Sequence, residues 1–204
     1  MPKKNKISKR KYLALVLARK NSFRLKNKNI LKLGATPLIA HTFKQLTGLN
    51  FLFVDVIVSS DSSVVKRYTF DYGFKYLKRP KNLATRKISS AKAAIHAANY
   101  YKKMYGNFDY IVLFQPTSPF RTKKTILRAI NLSKRYPNKQ IVSVNNANQK
   151  KKIPNGVIYI TSIKKLIKYN TFSHKNFFPL YVSSKKESLD IDTIEDFKLA
   201  QKYV

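Results

Sequence analysis

Two clusters of residues in this sequence have types and spacings that suit phosphate chemistry. One is acidic. Glu187, Asp190, Asp192, Glu195 and Asp196 fall within ten positions, in a chain of 204 residues with only 9 Asp and Glu in all. Asp190 and Asp192 flank Ile191, and on an extended segment alternate side chains share a face, so both carboxylates point one way. Two hard oxygen ligands side by side suit Mg²⁺, completed by water and phosphate oxygens. Thr193 with Asp196 three residues later also reads as the start of a helix with a capping box. Capping accounts for Asp196 and Glu195 and leaves Asp190 and Asp192 to be explained.

The second cluster is cationic. Arg19, Lys20, Arg24, Lys26 and Lys28 alternate with Asn21, Ser22, Asn27 and Asn29, directly after the apolar run Tyr12–Ala18. Cations neutralise phosphate oxygens while Ser and Asn supply hydrogen bonds, so such a loop suits a triphosphate. It is not a Walker A loop, because the glycines and the Gly-Lys-Ser/Thr ending are absent. A solvated basic loop is the alternative reading. A third segment, Val112–Arg121, runs Val-Leu-Phe-Gln-Pro-Thr-Ser-Pro-Phe-Arg. Its apolar run stops at Gln115, and two prolines bar continuation of strand or helix. That pattern presents Gln115 to a cleft at a sheet edge. The histidines His41, His96 and His174 fall in no metal-ligand spacing and read as structural or surface residues.

Positioning these residues requires alternating elements. Strands are predicted at Tyr12–Ala18, Phe53–Ser59, Phe74–Leu77, Tyr110–Gln115 and Gln140–Val144. Helices are predicted between them at Pro37–Leu46, Ser63–Tyr72, Ser89–Tyr105 and Thr122–Tyr136, with Ser89 and Thr122 as caps. Further strands are expected at Gly156–Thr161, Phe177–Val182 and Ser188–Ile191, with short helices at Ile163–Tyr169 and Ile194–Tyr203. Alternation of this kind predicts an α/β fold with a mixed, mainly parallel sheet and helices on both faces. Ligands in such folds bind outside the carboxyl ends of the strands, where all three segments fall.

Together the three segments resemble the acylneuraminate cytidylyltransferase family, and the resemblance runs from Tyr12 to the C-terminus. Its first-loop pattern, Ala-Arg-x-x-Ser-Lys-x-Leu/Ile-x-x-Lys-Asn, is matched by Ala18, Arg19, Ser22, Leu25, Lys28 and Asn29. The resemblance implies a Rossmann-like fold of the nucleotide-diphospho-sugar transferase type over residues 12–204, preceded by a basic arm, 1–11. It implies that Arg19, Ser22, Lys28 and Asn29 grip the phosphates of CTP. The motif Ser-x-Asp-Ile-Asp-Thr is matched by Ser188–Thr193, implying that Asp190 and Asp192 hold magnesium. Weaker matches imply that Arg79 holds the cytosine end, that Ser90 lies near the base, and that Asn155 and Tyr159 approach the sugar with Gln115. The implied reaction transfers CMP from CTP to a sialic acid-like nonulosonate and releases pyrophosphate, with Arg19, Lys28, Gln115 and Asp192 as its catalytic set.

Two positions depart from the family pattern. Phe23 stands where the family usually has lysine, which leaves Arg24 or Lys26 to replace that charge. Arg86 stands where the family usually has aspartate. The long excursion before the Asn-Gly strand is reduced to Ala147–Pro154, so a monomer or weak homodimer is expected, with Lys150, Lys151 and Lys152 as candidate substitutes for its cations. A catalytically weak nucleotide-binding relative is one alternative. The other, a nonspecific nucleic-acid binder, follows from the balance of 42 Lys and Arg against 9 Asp and Glu, a formal charge of +33. No cysteine is present, which excludes disulfides and thiolate metal sites. The apolar run Tyr12–Ala18 is short and lacks a cleavage site, so it is not a signal peptide, and no stretch approaches the roughly 20 residues of a membrane span. A cytoplasmic protein with a loose basic arm is expected.

Overall fold

The computed structural model describes residues 10–145 and 152–204. Lys150, Lys151, most of the short link and nearly all of the basic arm lie outside them. The last arm residues, Arg10 and Lys11, are held in place: Arg10 Nη1 donates to the carbonyls of Ser133 and Lys134, and the Lys11 amide donates to Asp109.

The expected α/β alternation is present. Strands β1 (Tyr12–Leu17), β4 (Asp55–Ser60), β5 (Lys75–Lys78) and β6 (Tyr110–Phe114) run parallel. Strands β7 (Ile141–Val144), β8 (Pro154–Ser162) and β9 (Phe178–Tyr181) complete a 7-stranded sheet in the order β5-β4-β1-β6-β8-β7-β9. β8 is antiparallel to both neighbours, which makes the sheet mixed. A two-stranded hairpin, β2 (Lys32–Leu33) and β3 (Thr36–Pro37), was not expected from the sequence. Its strands are too short to show periodicity.

Helices cover both faces, and the side-chain alternation of β1 shows why. Tyr12, Ala14 and Val16 pack on one face with α1 (Leu38–Thr47), α2 (Ser63–Asp71) and α4 (Lys123–Arg135). Leu13 and Leu15 pack on the other with α3 (Ser90–Met104) and α5 (Ile163–Tyr169). Ser89 and Thr122 cap α3 and α4 as expected, their side chains accepting from the amides of Lys92 and Thr125.

The segment Ser188–Ile191 is not a strand. Turns occupy the chain before it, and its backbone meets the rest of the fold through the Ile191 amide, which donates to the Thr117 carbonyl at 2.8 Å. It leads into α6 (Ile194–Gln201), which starts with the full Thr193–Asp196 capping box. Among the described residues no helix is long and apolar enough to cross a membrane.

Candidate active site

From β1 the chain moves outward to β4 and β5, then returns to the far side of β1 as β6. Such a reversal opens a crevice at the carboxyl ends of the strands on either side of it. A cleft of about 260 Å³ lies there, at the ends of β1 and β6. It is lined by Arg19, Ser22, Lys28, Asn29, Arg79, Ser90, Gln115, Asp190 and Asp192 together with Thr85, Arg86, Ser89 and Thr117. The loop cations, the acidic pair and Gln115, far apart in sequence, therefore share one cavity. Tyr159 lines an adjoining cleft of about 190 Å³ that shares Ser89, Ser90, Leu113 and Gln115 with the first. Ala18 packs into the core and Asn155 is buried, and neither lines the main cleft.

Apolar residues inside the two charged segments bring those segments together. Leu25, in the cationic loop, and Ile191, between the aspartates, belong to one small core with Leu33, Leu38, Phe197 and Ala200. Burying both places Lys28 against Asp192, with Nζ to Oδ1 at 2.6 Å, while Arg24 pairs with the other carboxylate oxygen. Lys28 is only 7% exposed, whereas the Asp192 side chain keeps 35% of its surface open, so the pair joins a buried cation to a carboxylate at the cleft rim. Arg24 is thereby committed to Asp192. Lys26 lines only a second adjoining cleft. Asn29 Nδ2 donates to the Arg19 carbonyl, and Arg19 Nη1 donates to the Thr85 carbonyl at 3.1 Å.

Asp190 points inward. Burial is the main cause holding its carboxyl above the usual range, opposed by a hydrogen bond from Thr117 and reinforced by Asp192. Its Oδ1 is sealed from solvent and has no hydrogen-bond partner. Gly156 makes room for this carboxylate. With φ at +81°, it sits where a Cβ would come 3.2 Å from both Asp190 Oδ2 and Ser118 Oγ. Tyr159 is pushed up to about 12, by burial first and then by Asp190. Around Asp196, burial is outweighed by hydrogen bonds from the Thr193 and Asp192 amides, which hold its carboxyl below the usual range.

The donor set fits a magnesium ion: two carboxylates on one cavity, one of them with an orphaned buried oxygen and no soft ligand nearby. Among the described residues no group of three or more His, Cys, Asp or Glu could hold a metal, so substrate and water would complete the coordination shell.

Sequence reasoning missed Arg121 as part of the site. It is 3% exposed, and burial pushes its guanidinium down to about 9. Nη2 donates to the Gln115 carbonyl at 3.0 Å, Nη1 to Gln45 Oε1 at 2.9 Å, and Nε to the Val157 carbonyl. Arg121 thus pins the backbone of Gln115 to β8 just beyond Gly156. The Pro-Phe-Arg ending of its segment was visible, but its direction of packing was not. Arg79 has a similar buried pose. Burial pushes it down to about 10, and it spends Nε and Nη2 on Ser59.

Lys152 lines a groove beside β9 and not the main cleft. Two of the histidines have structural settings. His41 Nε2 lies within hydrogen-bonding distance of Thr36 and the Leu33 carbonyl, and His174 stacks on Tyr169 at 4.0 Å.

A mainly parallel sheet with a cation-rich crevice at its switch point is the architecture of an α/β nucleotide-binding fold. The profile of the family described as Cytidylyltransferase matches residues 13–180, and the chain belongs to that family. It is 32% identical to an N-acylneuraminate cytidylyltransferase of Escherichia coli O18:K1:H7, over 93% of this chain and 51% of that protein. It is 31% identical to a CMP-N,N'-diacetyllegionaminic acid synthase of Legionella pneumophila, over 93% of this chain and 94% of the relative. The chain thus spans about half the first relative and nearly all of the second. The solved structure of a CMP:2-keto-3-deoxy-manno-octonic acid synthetase complexed with CTP shares the fold, with a TM-score of 0.72 at 14% identity, covering 95% of this chain and 98% of that one.

Proposed function

We propose that this protein transfers CMP from CTP to a 2-keto-3-deoxy sugar acid of the nonulosonate class and releases pyrophosphate. The observation that carries the reading is the meeting of Lys28, Asp190, Asp192 and Gln115 in one switch-point cleft. Four cations, Arg19, Lys28, Arg79 and Arg86, line that cleft against two carboxylates, a balance that attracts a triphosphate. The named relatives, which include a pseudaminic acid cytidylyltransferase of Campylobacter jejuni, support a nonulosonate acceptor.

Catalysis of this kind rests on positioning and charge neutralisation. The anomeric hydroxyl of the sugar releases its proton to solvent as its oxygen bonds to the α-phosphorus and the bond to pyrophosphate breaks, with no covalent enzyme intermediate. Arg19 and Lys28 steady the triphosphate, Ser22 and Asn29 donate hydrogen bonds, and Arg79 and Ser90 face the nucleoside end. Gln115, pinned through its backbone by Arg121, orients the sugar, and Tyr159 bounds the adjoining cleft on the acceptor side. Asp190 and Asp192 would hold magnesium, which when bound offsets charge on the triphosphate.

The test is pyrophosphate release with CTP, Mg²⁺ and a panel of eight- and nine-carbon 2-keto-3-deoxy sugar acids. Formation of a CMP-sugar with at least one acid is expected. CTP binding without pyrophosphate release from any acid would instead identify a nucleotide-binding relative that has lost sugar activation. Cooperative, salt-sensitive DNA binding without CTP binding would favour the nucleic-acid alternative.

A further inference from the structure

We propose that Arg86 is a phosphate-binding residue of the nucleotide cleft, and that the exposed ring of Phe23 holds it in place. This inference rests on the cytidylyltransferase reading and deepens it. One of the two residues lies in the cationic loop and the other in the loop before α3, and the fold brings them into contact. The Arg86 guanidinium carbon lies 4.5 Å from the centroid of the Phe23 ring, inside the range of a cation–π contact.

Phe23 is 76% exposed, so its ring is not explained by core packing. Two cations near it in the loop are directed elsewhere. Arg24 is paired with Asp192, and Lys26 lines only the outer cleft of about 670 Å³. Arg86 lines both that cleft and the nucleotide cleft, and among the described residues it makes no ion pair. The backbone beside it is already fixed, because Arg19 donates to the Thr85 carbonyl.

Stacking uses the face of a guanidinium and leaves the N–H donors along its edge available. Phosphate recognition uses that edge. A ring beneath Arg86 therefore limits its rotamers without consuming a donor. Lysine has no planar face to stack in this way, so the two cations are not equivalent at this position.

The experiment is calorimetric titration of the full chain with CTP and with CMP at fixed Mg²⁺, for wild type, Arg86→Ala, Arg86→Lys, Phe23→Ala and the Phe23→Ala/Arg86→Ala double variant. Arg86→Ala should weaken CTP about tenfold and CMP less than about twofold, since the contact is to the β- or γ-phosphate. Phe23→Ala should weaken CTP in the same sense, Arg86→Lys should recover less than half of the loss, and the double variant should be no weaker than Arg86→Ala. In turnover, KM for CTP should rise while kcat holds within about twofold. Melting temperatures should match wild type, because both side chains lie on exposed loops. Arg86→Ala binding CTP like wild type would overturn the proposal. So would losses at Phe23 and Arg86 that multiply, or equal losses for CTP and CMP. Wild-type protein that binds no CTP would instead overturn the underlying reading of the cleft.

Discussion

At Asp190, burial penalises the charged form, and the nearby Asp192 adds to the penalty. A carboxylate whose pKa is raised by folding leaves stability intact below its ordinary value of 3.8 and erodes it as pH climbs through the raised value. Asp190→Asn should therefore raise the melting temperature of the ligand-free protein at pH 7. The gain should vanish below the ordinary carboxylate pKa, where both side chains are neutral, and turnover should be lost at every pH. Melting curves across pH would expose the opposite sign if Asp190 were a stabilising ion-pair partner. The cationic loop gives a second prediction. Lys28→Ala and Arg19→Ala should each cost far more activity than Lys26→Ala, because only the first two residues line the cleft. Equal kinetic losses at the three positions would mean that the loop acts through diffuse charge alone.

At the scale of elements, the site depends on a joint between two loops whose regular structure is slight, a single 3-10 turn at Lys28–Ile30 in the cationic one. Leu25 and Ile191 bury themselves in the same small core as the hairpin and α6, and this holds the cationic loop against the acidic segment. Ile191→Ala removes no charge and no hydrogen-bonding side chain. It should still cost about 2–4 kcal/mol of stability, as large-to-small core changes do. It should also weaken CTP binding, because Lys28 and Asp192 lose their shared reference frame. Denaturant titration together with CTP binding would test this: a stability loss with unchanged affinity would show that the ion pair alone aligns the loops. The prolines after β6 have a related part. They stop the strand at Phe114 so that Gln115 enters a turn, and Ser118 and Arg121 both bond the Gln115 carbonyl.

For the whole molecule, a charge of +33 pulls nucleotides toward the cleft and pushes copies of the chain apart. The eight-residue link, Ala147–Pro154, spans at most roughly 29 Å when extended, little for a segment that must also return to start β8. A monomer or weak dimer at micromolar concentration is therefore predicted, with association that strengthens as salt screens the repulsion. Sedimentation at low and high salt would check this, and a tight dimer insensitive to salt would show that other surfaces drive assembly. The same field should give weak, salt-sensitive binding to DNA that competes poorly with CTP.

The sequence by itself determined the α/β alternation, because burial of a sheet on both faces and of helices on one stripe leaves periodic apolar runs. It also made the pair at Asp190 and Asp192 conspicuous, because only nine carboxylates occur in so basic a chain. Local chemistry was legible at Thr122, Ser89 and the Thr193–Asp196 cap, where partners lie a few residues apart. The tertiary structure decided what depends on distant partners. It buried Asp190 and left Asp192 at the rim with Lys28 and Arg24, although spacing made the two aspartates look alike. It replaced the expected strand at Ser188–Ile191 with a segment tied to Thr117, because contact with another loop there outweighs local propensity. It turned Arg121 inward and laid Arg86 over Phe23, since the direction of a long side chain is set by what the fold brings beside it.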